Sequence, residues 1–197
     1  MATRPGKAEV DPIFADSGDK RLVVNGTDAD LNAVVLRLLR TERLADVPLG
    51  YVPTDPRSEV AALWGLPTDP GRALDLALSG EPDRVPLVRD DVGGVLVGLG
   101  SLGPVRGVGY GDDTVVLRGQ ASRVEVTPDP DGGPGLVVRV IHKRLFGRKV
   151  TSTPARAFQL GCLPVQVNSD GIAHPRPMGK WTWYRHTEDL RLVRGVQ

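Results

Sequence analysis

Arg21-Leu22-Val23-Val24-Asn25-Gly26-Thr27-Asp28-Ala29-Asp30-Leu31-Asn32-Ala33-Val34-Val35 reads as a strand, a turn and the opening of a helix. Arg21 to Val24 is a short buried-strand run, and Asn25-Gly26 closes it as a turn signal. Asp30 is placed to cap a helix from Leu31 to about Arg43. Leu31, Val34, Val35, Leu38 and Leu39 recur there at helical spacing and form one apolar stripe. Downstream, Leu49-Gly50-Tyr51-Val52 is a second short strand between Pro48 and Pro53. Pro56 stands near the first turn of a helix from Arg57 to Trp64, which Gly65 ends. A third helix starts at Asp69 or Pro70, runs through Ala73, Leu74, Ala77 and Leu78, and stops at Ser79-Gly80. Strands alternating with helices predict a parallel α/β layer.

Past Val85 the helical periodicity fades. Val- and Arg-rich runs appear between turn signals at Thr114–Leu117, Arg123–Val126, Leu136–His142, Leu163–Val167 and Leu190–Val193. Pro128-Asp129-Pro130-Asp131-Gly132-Gly133-Pro134 reads as a hairpin loop between two of them. Short strands with frequent turns predict a β-sandwich. The expected fold class is therefore α/β plus all-β, a small parallel-sheet α/β half followed by a β-sandwich half. Residues 1–20 are expected to be a flexible N-terminal segment, 21–88 the α/β half and 89–197 the β-sandwich half. The glycine-rich stretch Val92 to Gly111 is expected to mark the change between them.

Composition narrows the function. Of 197 residues, 40% are hydrophobic and 25% charged, the balance of a globular chain with a real core. A formal net charge of +1 gives no global field toward nucleic acid or an anionic membrane, and no nucleic-acid partner is expected. The single cysteine, Cys162, excludes an internal disulfide and any cysteine-based zinc cluster. Met1 to Lys20 has Pro5, Pro12, mixed charges and no apolar run, unlike a signal peptide or anchor. No window approaches the ~20 apolar residues of a membrane span; even Val92 to Val108 is broken by glycines and Pro104. A cytoplasmic protein is expected, with a place at the membrane periphery open to it.

The order of blocks resembles the diacylglycerol and sphingosine kinases. Val23-Val24-Asn25-Gly26-Thr27-Asp28-Ala29-Asp30-Leu31-Asn32-Ala33-Val34 is similar to that family's V-x-G-G-D-G-T-L-N-E-V. Pro48-Leu49-Gly50-Tyr51-Val52-Pro53 is similar to its P-L-G-I-I-P, and Val165-Gln166-Val167-Asn168-Ser169-Asp170-Gly171-Ile172 to its V-Q-V-D-G-E. The resemblance implies a nucleotide site at Gly26, Thr27, Asp28, Asp30, Asp55, Ser58 and Glu59. The alternating acids Asp28 and Asp30 read either as caps and turns or as a pair that holds Mg²⁺. The resemblance places Ile172 where the family glutamate takes a proton from the lipid hydroxyl.

The departures are chemical. A glycine loop lets backbone N–H groups approach phosphates at a helix start. Here Thr27 and Ala29 replace glycines, and Asp30 replaces the threonine, so a carboxylate meets the phosphate. Asp55 and Arg57 stand at glycine positions of the second block, where Ser58-Glu59 replace N-D. Isoleucine accepts no proton, so no catalytic residue remains at the base position. The family has two β-α units before its glycine-rich strand, so a truncated front is also expected. The resemblance thus implies a catalytically impaired lipid-kinase-like protein, a pseudoenzyme that binds a lipid or a protein partner and has room for a homo-oligomer. Its alternative is an active lipid kinase that uses ATP and Mg²⁺ to phosphorylate a lipid hydroxyl. Phe158, Leu160, Leu163, Val165 and Val167, with Ile172, are expected to line up as an apolar face that either binds acyl chains or closes into solid core.

Other signals have plainer readings. Gly98-Leu99-Gly100-Ser101-Leu102-Gly103 matches G-x-G-x-x-G, but Pro104 follows instead of a helix, so a domain-joining loop is expected. His142, Lys143, Arg144, Arg148 and Lys149 surround Leu145-Phe146-Gly147, either a solvated hairpin or a contact for phosphate or lipid headgroups. Trp181 and Trp183 share one strand face, as core or as a ligand wall, and Tyr184 takes the other. His174 and His186 lack a zinc-ligand pattern, and Cys162 is expected to be buried.

Overall fold

A computed structural model describes residues 5–17 and 20–195, the side chains of 14–17 excepted. The chain divides into two compact units, residues 1–85 with 187–197, and residues 86–186.

In the first unit, helix α1 (Lys7–Ser17) precedes strand β1 (Leu22–Gly26), helix α2 (Asp28–Arg40) and strand β2 (Leu49–Pro53). Helices α3 (Glu59–Trp64) and α4 (Pro70–Ser79) and strand β3 (Pro82–Val85) follow. The expected flexible segment 1–20 therefore contains a helix; residues 1–4, 18 and 19 lie outside the described residues. Two side chains tie α1 down. Val10 is 3% exposed, and Asp11 forms a forked ion pair with Arg37 of α2 at 2.7–2.9 Å. Pro12 lies inside α1 and removes one N–H from its hydrogen-bond ladder.

Strand β2 is buried at every residue and pairs in parallel with β1, Leu22 opposite Leu49 and Gly26 opposite Pro53. The stripe Leu31, Val34, Val35 and Leu38 buries the inner face of α2. Helix α4 lies so close to β2 that a Cβ on Gly50 would stand 2.5 Å from the Ala77 carbonyl oxygen. No basic residue occupies the last turn of α4, and Arg21 supplies that charge from outside. Its Nη1 donates to the Ala77 and Leu78 carbonyls at 3.1 and 2.6 Å.

The second unit is all β. Its strands are β4 (Val88–Asp90), β5 (Val95–Leu96), β6 (Gly100–Leu102), β7 (Val105–Gly111), β8 (Thr114–Ala121) and β9 (Arg123–Pro128). Then come β10 (Leu136–Lys143), β11 (Arg148–Ala155), β12 (Ala157–Val165), β13 (Val167–Ser169), β14 (Ile172–Ala173) and β15 (Met178–Arg185). They form two six-stranded sheets, β11-β10-β9-β6-β13-β14 and β5-β4-β15-β12-β7-β8. Val124, Val126, Leu136 and Val138 from one sheet and Leu117, Phe158, Leu160, Trp181 and Trp183 from the other belong to one buried core. The tryptophan strand thus serves the core. Trp183 stacks on Phe158 at 6.4 Å between centroids, and Trp181 meets Trp183 edge-on at 5.7 Å.

Two expected boundaries move. The change to β structure falls at Val85–Pro86, ahead of Val92–Gly111, where Gly100 lies within β6 and Gly107, Gly109 and Gly111 within β7. Glycine serves close strand approach there: a Cβ on Gly107 would strike the Gly161 carbonyl in β12. The G-x-G-x-x-G stretch is accordingly part of the sandwich and joins no domains. The last strand, β16 (Leu190–Val193), belongs to the first unit instead of the sandwich. It enters between β2, parallel to it, and β3, antiparallel to it, giving the order β1-β2-β16-β3. Leu190, Leu192 and Val193 are at most 1% exposed, so core formation with a distant segment decides their place.

Candidate functional site

Strands β1 and β2 are adjacent and parallel, so the loops leaving their carboxyl ends meet, where ligands bind in open α/β sheets. One loop carries Gly26, Thr27, Asp28 and Asp30, the other Asp55, Ser58 and Glu59. The structure brings the two sets together through Asp28.

The Asp28 carboxylate accepts four hydrogen bonds. Its Oδ1 takes the hydroxyls of Tyr51 at 2.8 Å and Ser58 at 2.5 Å. Its Oδ2 takes the backbone N–H groups of Glu59 at 2.9 Å and Val60 at 3.3 Å. A carboxylate offers roughly four lone-pair sites, so this one is full. Ser58 caps the same helix, its Oγ accepting from Ala61 N at 2.9 Å. The first three N–H groups of α3, the donors a phosphate would use, are thereby taken by protein oxygens.

Asp30 is engaged at the start of α2. The expected helix began at Leu31 with Asp30 as its cap; the helix begins at Asp28, with Thr27 as the cap and Asp30 at its third position. Thr27 N–H and Oγ1–H donate to Asp30 Oδ2 at 2.8 and 2.7 Å, and Asp30 N–H donates to Thr27 Oγ1 at 3.3 Å. Gly26 makes room for this, since a Cβ there would stand 2.8 Å from Asp30 Oδ2. Asp28 and Asp30 thus turn to separate helix starts. Among the described residues no three His, Cys, Asp or Glu converge, and the lone pairs of Asp28 that a Mg²⁺ would need are taken by its four hydrogen bonds.

Asp55 folds the second loop. Its Oδ1 accepts from Arg57 N–H at 2.9 Å, which holds its carboxyl below the usual range. That turn delays α3, which starts at Glu59 and not at Arg57. The Glu59 side chain is exposed. Tyr51, 1% exposed, stands under the site, and burial first, then the Asp28 charge, pushes its hydroxyl pKa far up. Its single proton is donated to the carboxylate. Composition did not point to Tyr51; its place in β2 one pair from Val52 opposite Asn25 could have.

In the second unit, Ile172 is half-buried in a two-residue hairpin, opposite Ser169. Asp170 (φ 48°) and Gly171 (φ 79°) make that turn with positive φ at both positions. The Asp170 carboxylate, 2% exposed, accepts from Val97, Gly98 and Leu99 N–H at 2.8, 2.8 and 3.1 Å. It anchors the glycine-rich loop, a role its neighbours in sequence did not reveal.

Of the two outcomes open to the apolar run, closure into core is the one found for all but Leu163 and the half-buried Ile172. Phe158, Leu160, Val165 and Val167 are buried in the core, while Leu163 is 63% exposed. A register shift between Gly161 and Val165, a stretch that contains Pro164, reverses the alternation along β12. Cys162 is half-buried, its Sγ 3.7 Å from the Met178 carbonyl, and burial raises its thiol pKa. His174 lies edge-on to Trp181 at 5.3 Å, with Nδ1 2.8 Å from the Arg176 carbonyl.

No family model matches the chain. No curated protein matches it either. Solved structures do. A diacylglycerol kinase from Bacillus anthracis str. Sterne superposes with a TM-score of 0.71 at 13% identity, over 97% of this chain and 83% of that one. A putative diacylglycerol kinase from the same organism gives 0.69 at 14% identity, over 93% and 79%. An NAD kinase from Archaeoglobus fulgidus, solved in complex with ATP, gives 0.59 at 14% identity, over 88% and 77%. With its parallel α/β layer and antiparallel sandwich, the chain has the fold of the diacylglycerol-kinase-like lipid kinases, which NAD kinase shares.

Proposed function

We propose that this protein is a diacylglycerol-kinase-like protein that does not transfer phosphate and acts as a lipid- or partner-binding module. The observation that carries this reading is the Asp28 carboxylate, seated on the N–H groups at the start of α3. A phosphate arriving there must displace two backbone donors and two hydroxyls from a carboxylate. It also meets that carboxylate's charge, and like charges ~4 Å apart repel by about 4 kcal/mol in surroundings of intermediate polarity. Isoleucine at position 172 leaves a lipid hydroxyl without a base there.

Thermal unfolding with and without ATP–Mg²⁺ tests the reading. A nucleotide at a hundredfold excess over its Kd stabilises a folded protein by about 2.7 kcal/mol, several degrees in Tm for a chain of this size. We expect no shift, and no phosphate transferred from ATP to diacylglycerol in mixed micelles. The kinase neighbours, one of them ATP-bound, favour a second reading, an ATP-dependent lipid kinase with altered motifs. A shift that Asp28→Asn abolishes, together with turnover, would establish that reading and end the first.

A further inference from the structure

Strands β10 and β11 pair from Leu136 opposite Ala155 to Lys143 opposite Arg148, whereas β9 follows β10 only to Ile141, opposite Arg123. Residues 142–149 therefore extend past the third strand as a two-stranded arm. Its turn presents Leu145 and Phe146, 91% and 92% exposed, and Val150 follows at 38%. Single exposed apolar residues are ordinary on a folded surface. Two adjacent large ones on a projecting turn form a small apolar point that the rest of this unit does not cover.

The charge around that point is one-sided. From Gly132 to Ser169 the chain has no acidic residue and six cations: Arg139, Lys143, Arg144, Arg148, Lys149 and Arg156. Among the described residues Lys143, Arg144, Arg148 and Lys149 enter no ion pair, while Glu125 already holds Arg123 and Arg139. At the base of the arm a cleft of about 610 Å³ is lined by Arg106, Gln120, His142, Lys143 and the exposed Leu163.

We propose that this arm docks the protein on an anionic lipid surface. Leu145 and Phe146 enter the acyl boundary, and the four cations meet the headgroups. The dimensions agree: at ~3.4 Å per strand residue, Lys143 and Lys149 stand roughly 7–10 Å behind the turn. Interfacial apolar groups bury to about 5–10 Å, which leaves those cations in the headgroup layer. An apolar point ringed by cations matches a surface that is negative outside and apolar within. The inference rests on the binding-module reading and names its lipid-directed surface.

Flotation of the full chain with vesicles, in the absence of nucleotide, tests it. One set of vesicles is phosphatidylcholine alone and the other contains phosphatidylglycerol as well. The protein should float with the anionic set, release as salt is raised, and ignore the neutral set. Leu145→Ser with Phe146→Ser, and Lys143→Glu with Arg148→Glu, should each weaken binding by about tenfold or more. Both pairs are exposed, so Tm should hold. Phe146→Trp should shift its emission to the blue on anionic vesicles, a readout that charge alone would not produce. Absence of flotation, or flotation that survives Leu145→Ser/Phe146→Ser, would overturn the proposal. Self-association lost in that variant would assign the arm to a second copy and overturn it too. Failure here leaves the nucleotide result untouched, and an ATP-dependent shift leaves this result untouched.

Discussion

Replacing Asp28 by alanine removes four hydrogen bonds from one point, and their environments set the cost. Loss of the cap on Glu59 and Val60 N–H is worth about 1 kcal/mol. Two hydroxyls lose a charged acceptor, each bond to a charged group being worth roughly 1.5–3 kcal/mol. That cost is discounted at Tyr51, whose hydroxyl can turn to the Gly26 carbonyl 3.1 Å away. Ser58 keeps its bond from Ala61 N–H. A loss of about 2–3 kcal/mol remains, which is ~4–12 °C in Tm for a chain of this length.

Asp28→Asn separates charge from shape. Its oxygen can still serve Tyr51 and Ser58, but its amide then points donors at the donors of Glu59 and Val60, so little should be recovered. Tyr51→Phe should cost about 1 kcal/mol alone and less in the Asp28→Ala background, because the two share a bond. Urea and thermal unfolding of the four proteins close the cycle. A loss below ~0.5 kcal/mol for Asp28→Ala would show that the carboxylate does not hold the start of α3. Asp28 would then not stand between a phosphate and those N–H groups.

Substitutions at two buried carboxylates probe the sandwich. Asp90 is buried, which raises its carboxyl pKa although Val92 and Gly94 N–H donate to it. A raised folded-state value means that stability is fullest below the unfolded value of 3.8 and declines as pH rises through the folded one. Asp90→Asn keeps the accepting oxygen without the charge, so urea unfolding should find it more stable near neutral pH and no different well below 3.8. Asp170→Ala strands three N–H groups in a site 2% exposed and should cost about 3 kcal/mol or more by urea unfolding. Asp170→Asn, which tolerates the positive φ, should cost less.

Local signals carried the first unit well. Gly65 does end α3 in a left-handed conformation, and Asp69 caps α4 with Pro70 in its first turn. The start of α2 is set by Thr27-x-x-Asp30, a capping pattern that lies one turn ahead of Leu31, where the apolar stripe begins. Strands β5, β6 and β7 were hidden by glycines, which weaken any strand pattern, and β11 by an almost wholly exposed edge. At the site, residue types and spacing located both loops, but not Tyr51, whose role comes from standing beneath Asp28. The parity change in β12 was visible only as Pro164 within an apolar run.

The placement of β16 has a consequence for synthesis. Leu190–Val193 is the strand that joins β2 to β3, so the first unit cannot complete its sheet while the ribosome is still adding residues 86–186. Until then β2, buried at every residue in the finished protein, has one open edge and an unclosed core. The sandwich, continuous in sequence from 86 to 186, has all its strands first. The sheet of the amino-terminal unit is thus the last to close, and until β16 is made its open edge is an aggregation liability.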